Sequence, residues 1–338
     1  MNVSGIFKWL AACSLAPVLA GTAAAQTPSA PAVPASAASA ADLVDALNGV
    51  FGKHADARAV HAKGVVLTGT FTPDAAAASV SRAPHLQKTA VPVTVRFSDF
   101  AGIPDIPDNH GLASPRGFAI KFALPDGSTT DIVAHSFNGF PSPTADDFRN
   151  LLIALGTSGP NAPKPTPLDN YLAGHPVAKA FLSAPKPAPV SYATLPYYGV
   201  NTFKFTNASG KVTYGRYQFL PRAGAKYLSD DEASHAAPNY LRDEIVKRVS
   251  TQPAEFDLVL QIADRGDKLD DPSVAWPKSR RIVKLGTIAV TTPVAESDAA
   301  QRALLFLPAA LPPGIDVQDP MVAARSAAYP ISYQRRHQ

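Results

Sequence analysis

A succession of short runs rich in β-branched and aromatic residues sets the tightest limit on what this chain can fold into. The runs are Val65 to Phe71, Val91 to Phe97, Gly117 to Phe122, Thr129 to Val133, Thr202 to Thr206, Val212 to Leu220, Phe256 to Ala263 and Ile282 to Val290. Pro125-Asp126-Gly127 and the segment from Asn207 to Gly210 have the residues of tight turns, and each joins two consecutive runs as a hairpin. Ala145 to Leu155 and Asn239 to Ser250 have helical character. Leu43, Leu47, Val50 and Phe51 fall near helical spacing, which places a short amphipathic helix ahead of the first run. Antiparallel strands with helices set between and after them predict an α+β fold built on a closed barrel.

The chain has 338 residues, enough for a substantial core in one large domain or two small ones. Charged residues make up 17% and hydrophobic ones 46%, the balance of a globular protein rather than a disordered one. The formal net charge is only +4 and no basic tract is interleaved with aromatics, so nucleic acid is not expected as a partner. The 33 prolines predict many irregular connections and little long helix.

Residues 1–25 read as a secretory signal. Lys8 supplies the positive region, Trp9 to Leu19 the apolar run, and Ala23-Ala24-Ala25 the cleavage site before Gln26. The run is too short to span a bilayer and no later segment reaches that length, so no stable membrane insertion is expected. Leu10-Ala11-Ala12-Cys13 also spells a lipoprotein box, but cleavage there would cut inside the apolar run. Cys13 is the only cysteine and leaves with the signal, so the mature chain is expected to have no thiol, disulfide or cysteine ligand. Residues 26–40 are mostly Pro, Ala and Ser without charge, the composition of a flexible tether. Residues 41–338 then form a single domain.

Two segments carry chemistry. Arg325-Ser326-Ala327-Ala328-Tyr329-Pro330 reads as a short helix that stops at its tyrosine, because the alanines favour helix and Pro330 disfavours its continuation. Residues four apart share a helix face, so the Arg325 guanidinium can reach the Tyr329 oxygen. A fixed cation beside a phenol oxygen favours the anionic form, and a phenolate is a hard ligand suited to ferric iron. Arg58-Ala59-Val60-His61-Ala62-Lys63-Gly64 comes just before the first run. A neutral imidazole above a metal can move the proton of a bound peroxide from one oxygen to the other, making the departing group water. Taken singly, a helix-capping tyrosine and a buried, hydrogen-bonded histidine are the alternatives.

Taken in order, the segments resemble those of haem catalases. The R-x-x-x-Y-P string resembles the proximal segment that ligates the iron, and R-x-x-H-A-K-G with Gly69 and Phe71 resembles the distal one. Val95 to Gly102 resembles V-R-F-S-x-x-A-G, and Pro115 to Phe122 resembles P-R-G-F-A-x-K-F, with Asp131-Ile132-Val133 following. Tyr198 to Lys204 resembles Y-G-x-H-T-F-K with Asn201 in place of the histidine. Trp276-Pro277, Lys284-Leu285-Gly286 and Pro312-Pro313-Gly314-Ile315 resemble later family strings. The similarity runs from about residue 50 to the end. In size and export the chain looks like the small catalase-related peroxidases of bacterial periplasms.

The resemblance implies a catalase-like eight-stranded antiparallel barrel surrounded by helices, with heme b as cofactor. It implies Tyr329 as the iron ligand with Arg325 beside it, His61 as catalytic base, and Ser98 as the residue that sets its tautomer. Arg58, Arg96 and Arg336 would pair with haem propionates. Phe148 would stack on the haem, or serve as a core phenylalanine. A periplasmic location follows, with cleavage after Ala25. Because the interlocking arms of large catalases are missing, a monomer or dimer is expected.

Several positions depart from the pattern of large catalases. His135 takes the place of the asparagine that assists the distal histidine, with Asn138 three residues on as the other candidate. Phe100 stands for the channel valine, Ser114 for the channel aspartate, Ala327 for a phenylalanine and Ile331 for an aspartate. These changes touch peroxide delivery and the second half of the catalase cycle. They point to a peroxidase that reduces hydrogen peroxide, and small organic hydroperoxides, with a small electron donor and has weak catalase activity. A non-enzymatic haem-storage barrel and a hydroperoxide-rearranging enzyme are the alternatives; retention of His61 with Ser98 argues against storage. Asp230, Asp231, Glu232, Asp270 and Asp271 lack ligand spacing and read as solvated loops.

Overall fold

The computed structural model describes residues 39–338. The secretory signal and the tether up to residue 38 lie outside the described residues. The strands are β1 (Gly64–Pro73), β2 (Val91–Ser98), β3 (Gly117–Ala123), β4 (Thr129–His135), β5 (Tyr197–Tyr198), β6 (Phe203–Thr206), β7 (Val212–Pro221), β8 (Ala254–Ile262), β9 (Ile282–Pro293) and β10 (Ile315–Val317). Eight of them close into an antiparallel barrel in the order β1-β2-β3-β4-β5-β7-β8-β9 and back to β1. β6 follows β5 along the same edge of β7, and β10 adds to β6. Both sequence-predicted hairpin turns are present. Gly127 (φ +82°) closes the first, and Gly210 (φ +82°) the second, in the left-handed backbone that glycine adopts without strain.

Alternation along the strands decides what faces the barrel interior. Val95, Phe97, Phe118, Ile120, Phe122, Ile132 and Ala134 point into one buried core with Phe71, Phe219 and Phe256. Rings there meet edge-on or tilted, as in Phe71–Phe122 at 5.2 Å and Phe118–Phe219 at 4.4 Å. The interior is therefore filled. The odd partners of this alternation, Arg96, Ser98, Gly117, Ala119, Val133 and His135, lie on the outer wall.

Three helices cover that wall: α1 (Ala40–Phe51), α2 (Ala145–Gly156) and, at the chain end, α8 (Met321–Arg335). Val44, Leu47 and Phe51 of α1 join Leu152 of α2 and Ala328 of α8 in a second apolar cluster. Ser39, assigned above to the tether, caps α1 in a reciprocal box with Asp42. The remaining helices are α3 (Pro167–Gly174), α4 (Pro176–Ser183), α5 (Asp230–His235), α6 (Tyr240–Val249) and α7 (Ser297–Ala303). No helix among the described residues is long and apolar enough to cross a membrane.

Two expectations are corrected. The C-terminal helix does not stop at Tyr329; α8 continues to Arg335 with Pro330 inside it. Tertiary contacts hold the extra turn: Ile331 packs on the second cluster, Arg335 pairs with Asp45 at 2.5 Å, and Arg336 is buried. These contacts outweigh the one backbone bond that proline removes. Asp230, Asp231 and Glu232 form the first turn of α5, where Glu232 and Ser229 cap each other, rather than a loop.

Candidate active site

The cross-strand register sets the first row of the site. Ser98 pairs with Gly117 and Gly117 with His135, so the three lie side by side on the outer wall. His61 arrives from the loop before β1, held by backbone bonds from His61 N to Phe100 O (2.7 Å) and Ala62 N to Ala101 O (3.0 Å). Its φ of +57° is a left-handed conformation for a residue with a side chain, a local cost the surrounding bonds sustain. The backbone turn aims the imidazole at the wall, where Nδ1 lies 3.1 Å from Ser98 Oγ. A Cβ at Gly117 would collide with Ser98 Oγ and lie 2.8 Å from His61 Nδ1, so only glycine leaves room for this contact. Phe100 meets the imidazole edge-on at 5.5 Å.

Burial lowers the His61 pKa to about 3, with the Arg96, His135 and Arg325 charges adding to the effect. Burial likewise lowers that of His135 to about 3, helped by Arg325 and Lys186. Both rings are therefore neutral at physiological pH. His135 Nδ1 is buried without a partner among the described residues. Behind the loop, Arg116 grips Asp99 (2.5 Å), Tyr192 donates to the same carboxylate (3.1 Å), and Lys63 pairs with Asp108 (2.5 Å).

Across the cavity stands α8. Arg325 donates to the Tyr329 oxygen from Nε at 3.0 Å and from Nη2 at 2.8 Å, the two-pronged contact that the four-residue spacing allows. Its remaining Nη1 donates to Asn201 Oδ1. Asn201 in turn donates to Asp319 at 2.7 Å, and Asp319 caps the start of α8 through Met321 N at 2.9 Å. Asn201 and Asp319 are both buried. The arginine is thus held from both sides by groups whose other contacts are made.

At one end of the cavity three arginines converge. Arg58 donates to Leu304 O (2.8 Å), Arg336 to Leu304 O and Arg302 O, and Arg96 to His61 O (2.9 Å), Ala62 O (3.1 Å) and Gln301. None of the three forms an ion pair among the described residues. Burial depresses all three: Arg58 falls well below its ordinary value and Arg96 to about 10, with repulsion from neighbouring arginines adding to both, and Arg336 falls to about 10 by burial alone. Buried cations without an anion imply a missing anionic partner. The other end is apolar, with Leu43, Phe100, Phe140, Phe148 and Phe181 around it. The two lobes enclose about 770 and 980 Å³ including their mouths, and share Leu47, Val60, His61, Ala328 and Tyr329.

The residues given catalytic or cofactor roles from the sequence border this cavity: Ser98, Arg58, Arg96 and Arg336 in one lobe, His135, Phe148 and Arg325 in the other, and His61 and Tyr329 between them. Asn138 does not line it, which leaves His135 as the group beside His61. Phe148 both lines the cavity and packs on the second apolar cluster. Sequence reasoning missed Asp319 and the bracing role of Asn201; an acidic residue two positions before a helix start is too common a signal to mark them.

Residues 39–337 match the protein family described as Catalase. The chain is 37% identical over 295 residues to a catalase-related peroxidase of Mycolicibacterium paratuberculosis, covering 86% of this chain and 92% of that one. It is 32% identical over 297 residues to a catalase-related peroxidase of Synechococcus elongatus, covering 86% of each. Against Catalase-2 of Bacillus subtilis the identity is 29%, over 80% of this chain and 42% of that protein. A solved bacterial catalase shares the fold, with a TM-score of 0.73 at 21% identity over 95% of this chain and 67% of that one. The chain belongs to the catalase family.

The same burial predicts acid sensitivity. His61 and His135, at about 3, and His85, at about 4, all sit below their ordinary 6.5. As pH falls through 6.5 the unfolded chain takes up three protons that the fold refuses, so stability is full above that pH and declines down to about 3, the His85 contribution levelling off near 4. Asp99, which burial pushes up to about 7, acts in the opposite sense over the same range. His85 is packed between Phe71 and Phe122 away from the cavity, with Nδ1 unpartnered among the described residues. His85→Leu is therefore expected to flatten the stability–pH slope between pH 4.5 and 6 by one proton, ~1.4 kcal/mol per pH unit. Urea unfolding across that range measures it; an unchanged slope contradicts the assignment.

Proposed function

We propose that this chain is a haem-dependent peroxidase that reduces hydrogen peroxide, and small organic hydroperoxides, at the expense of an electron donor, with weak catalase activity. Membership of the catalase family makes it an oxidoreductase acting on peroxide. One observation carries the finer reading: an arginine-clasped phenol and a neutral, serine-held imidazole face each other across one cavity whose end is set with three unpaired arginines. The donor set fits heme b. Tyr329 would hold the iron, Arg58, Arg96 and Arg336 would meet the propionates, and the apolar lobe with Phe148 would take the hydrophobic edge.

When bound, the haem iron supplies the electrons that split the peroxide bond. The protein supplies the proton path. With its hydrogen on Nδ1, donated to Ser98 Oγ, His61 presents the Nε2 lone pair to the cavity. It takes the proton from one peroxide oxygen and returns it to the other, so the departing fragment is water and not hydroxide. His135 adds a neutral ring nitrogen beside it to orient the peroxide. Arg325 holds its positive charge against the Tyr329 oxygen, and Asn201 with Asp319 fixes the arginine. The signal-like composition of residues 1–25 supports action in the periplasm after export.

The balance between donor oxidation and oxygen release tests the reading. Peroxide consumption by the purified protein is expected to depend on an added donor such as guaiacol, with little oxygen at an electrode. Release of one oxygen per two peroxides without donor, at the turnover of large catalases, contradicts it.

A further inference from the structure

A second, polar cavity lies behind the arginine end of the site and is open to solvent. Its walls include Arg58, Tyr192, Asn239, Arg242, Gln301 and Arg302. One layer of side chains separates it from the cavity described above. Arg58 borders both, and Gln301, in the polar wall, accepts two hydrogen bonds from Arg96, at 3.2 Å from Nε and 2.9 Å from Nη2.

Asp56 and Asp298 also line this cavity, but they neutralise its arginines only loosely. Lys63 also lines it but is spent, its ammonium bonded to Asp108, Ile106 O and Pro238 O. Arg242 and Arg302 have only loose partners, Asp298 at 3.7 Å and Asp56 at 3.4 Å, with all four side chains well exposed. Exposed pairs of this length contribute little and yield readily to a competing anion. Arg58 has no carboxylate partner, and the Asn239 side-chain amide makes no hydrogen bond among the described residues. Two displaceable guanidinium forks and a free amide therefore converge on this open cavity, donors suited to a small carboxylate or enolate, while Arg58 at its inner end is left to the propionate.

We propose that this polar cavity binds the reducing substrate, and that it takes a small organic monoanion bearing an oxidisable hydroxyl, such as a hydroxybenzoate or an enediolate. This rests on the peroxidase reading above. Peroxide and donor then use different doors: the apolar lobe leads to His61, and the polar cavity leads to the arginine end. Each donor molecule gives up one electron and one hydroxyl proton and leaves as a radical. Two donors thus supply two electrons and two protons; the peroxide O–O bond breaks, two O–H bonds form, and two waters leave. Electron transfer has only the Arg58 and Arg96–Gln301 layer to cross.

The test uses the haem-loaded protein and 4-hydroxybenzoate. Titration calorimetry without peroxide is expected to show saturable binding to the parent, weakened at least tenfold in the double variant Arg242→Gln, Arg302→Gln. In steady state, the KM for 4-hydroxybenzoate is expected to rise about tenfold relative to that for neutral guaiacol. Asn239→Asp, which places a carboxylate at the mouth, is expected to weaken anion binding without removing either arginine. No binding by the parent, undiminished binding by the variants, or equal changes for the anionic and neutral donors would each overturn the proposal. A parent that oxidises neither donor with peroxide refutes the peroxidase reading itself; guaiacol oxidation without anion binding refutes only this site.

Discussion

His61→Ala protein is expected to retain its haem and to lose peroxidase turnover by about 10²–10⁴-fold, the usual contribution of a positioned acid–base group. Retention is expected because His61 holds nothing on the other wall: the Arg325–Tyr329 clasp and the three arginines are untouched. The loss is expected because no other group reaches the same place. His135 is neutral and lies two strands away in the row Ser98–Gly117–His135, so it can orient but not replace the shuttle. Stopped-flow mixing with peroxide separates this from a binding defect, because the second-order reaction of the resting protein should fall while the donor KM stays the same. Burial keeps His61 unprotonated down to about pH 3. The parent rate constant should accordingly be flat from pH 5 to 8, with no imidazole inflection near 6.5. A His61→Ala protein that keeps more than a tenth of the parent rate removes the base from the account.

Tyr329→Phe is expected to have the other large effect. The change keeps the ring and deletes the oxygen on which Arg325 spends two donors. Loss of an outer partner of a metal ligand commonly costs ~10–100-fold in metal affinity, so loss of the ligand itself should exceed that. Arg325 would then add a half-buried, half-satisfied cation to the three already there. The variant is expected to be purified largely haem-free and to lose residual haem rapidly to an acceptor protein, with an altered charge-transfer spectrum in whatever remains. A Tyr329→Phe protein with parental haem content and spectrum would show that the phenol is not the ligand.

Much of the site was legible because the sequence strings fall in the family's order. Ser98 was legible through the resemblance of Val95 to Gly102 to a family string, and the structure adds the register that sets it beside Gly117. The i,i+4 spacing of Arg325 and Tyr329 gave their contact directly. What was not legible depends on contacts between distant segments. The turn beyond Pro330 survives because Arg335 finds Asp45 some 290 residues earlier. The buried Arg116–Asp99 pair, with Lys63 and Asp108 beside it, draws on two connections, the one before β1 and the one between β2 and β3, that no local pattern relates. α3 and α4 are eight residues each and begin at prolines, which a search for long apolar periods passes over. The closure of the barrel through β7 and β8 is a long-range pairing of the same kind.

The structure of the haem-loaded protein tests the central claim most directly. It should show iron bonded to the Tyr329 oxygen, both propionates among Arg58, Arg96 and Arg336, and the His61 ring over the opposite face. Iron bonded to His61 or His135, or a haem seated outside the two lobes, would contradict it.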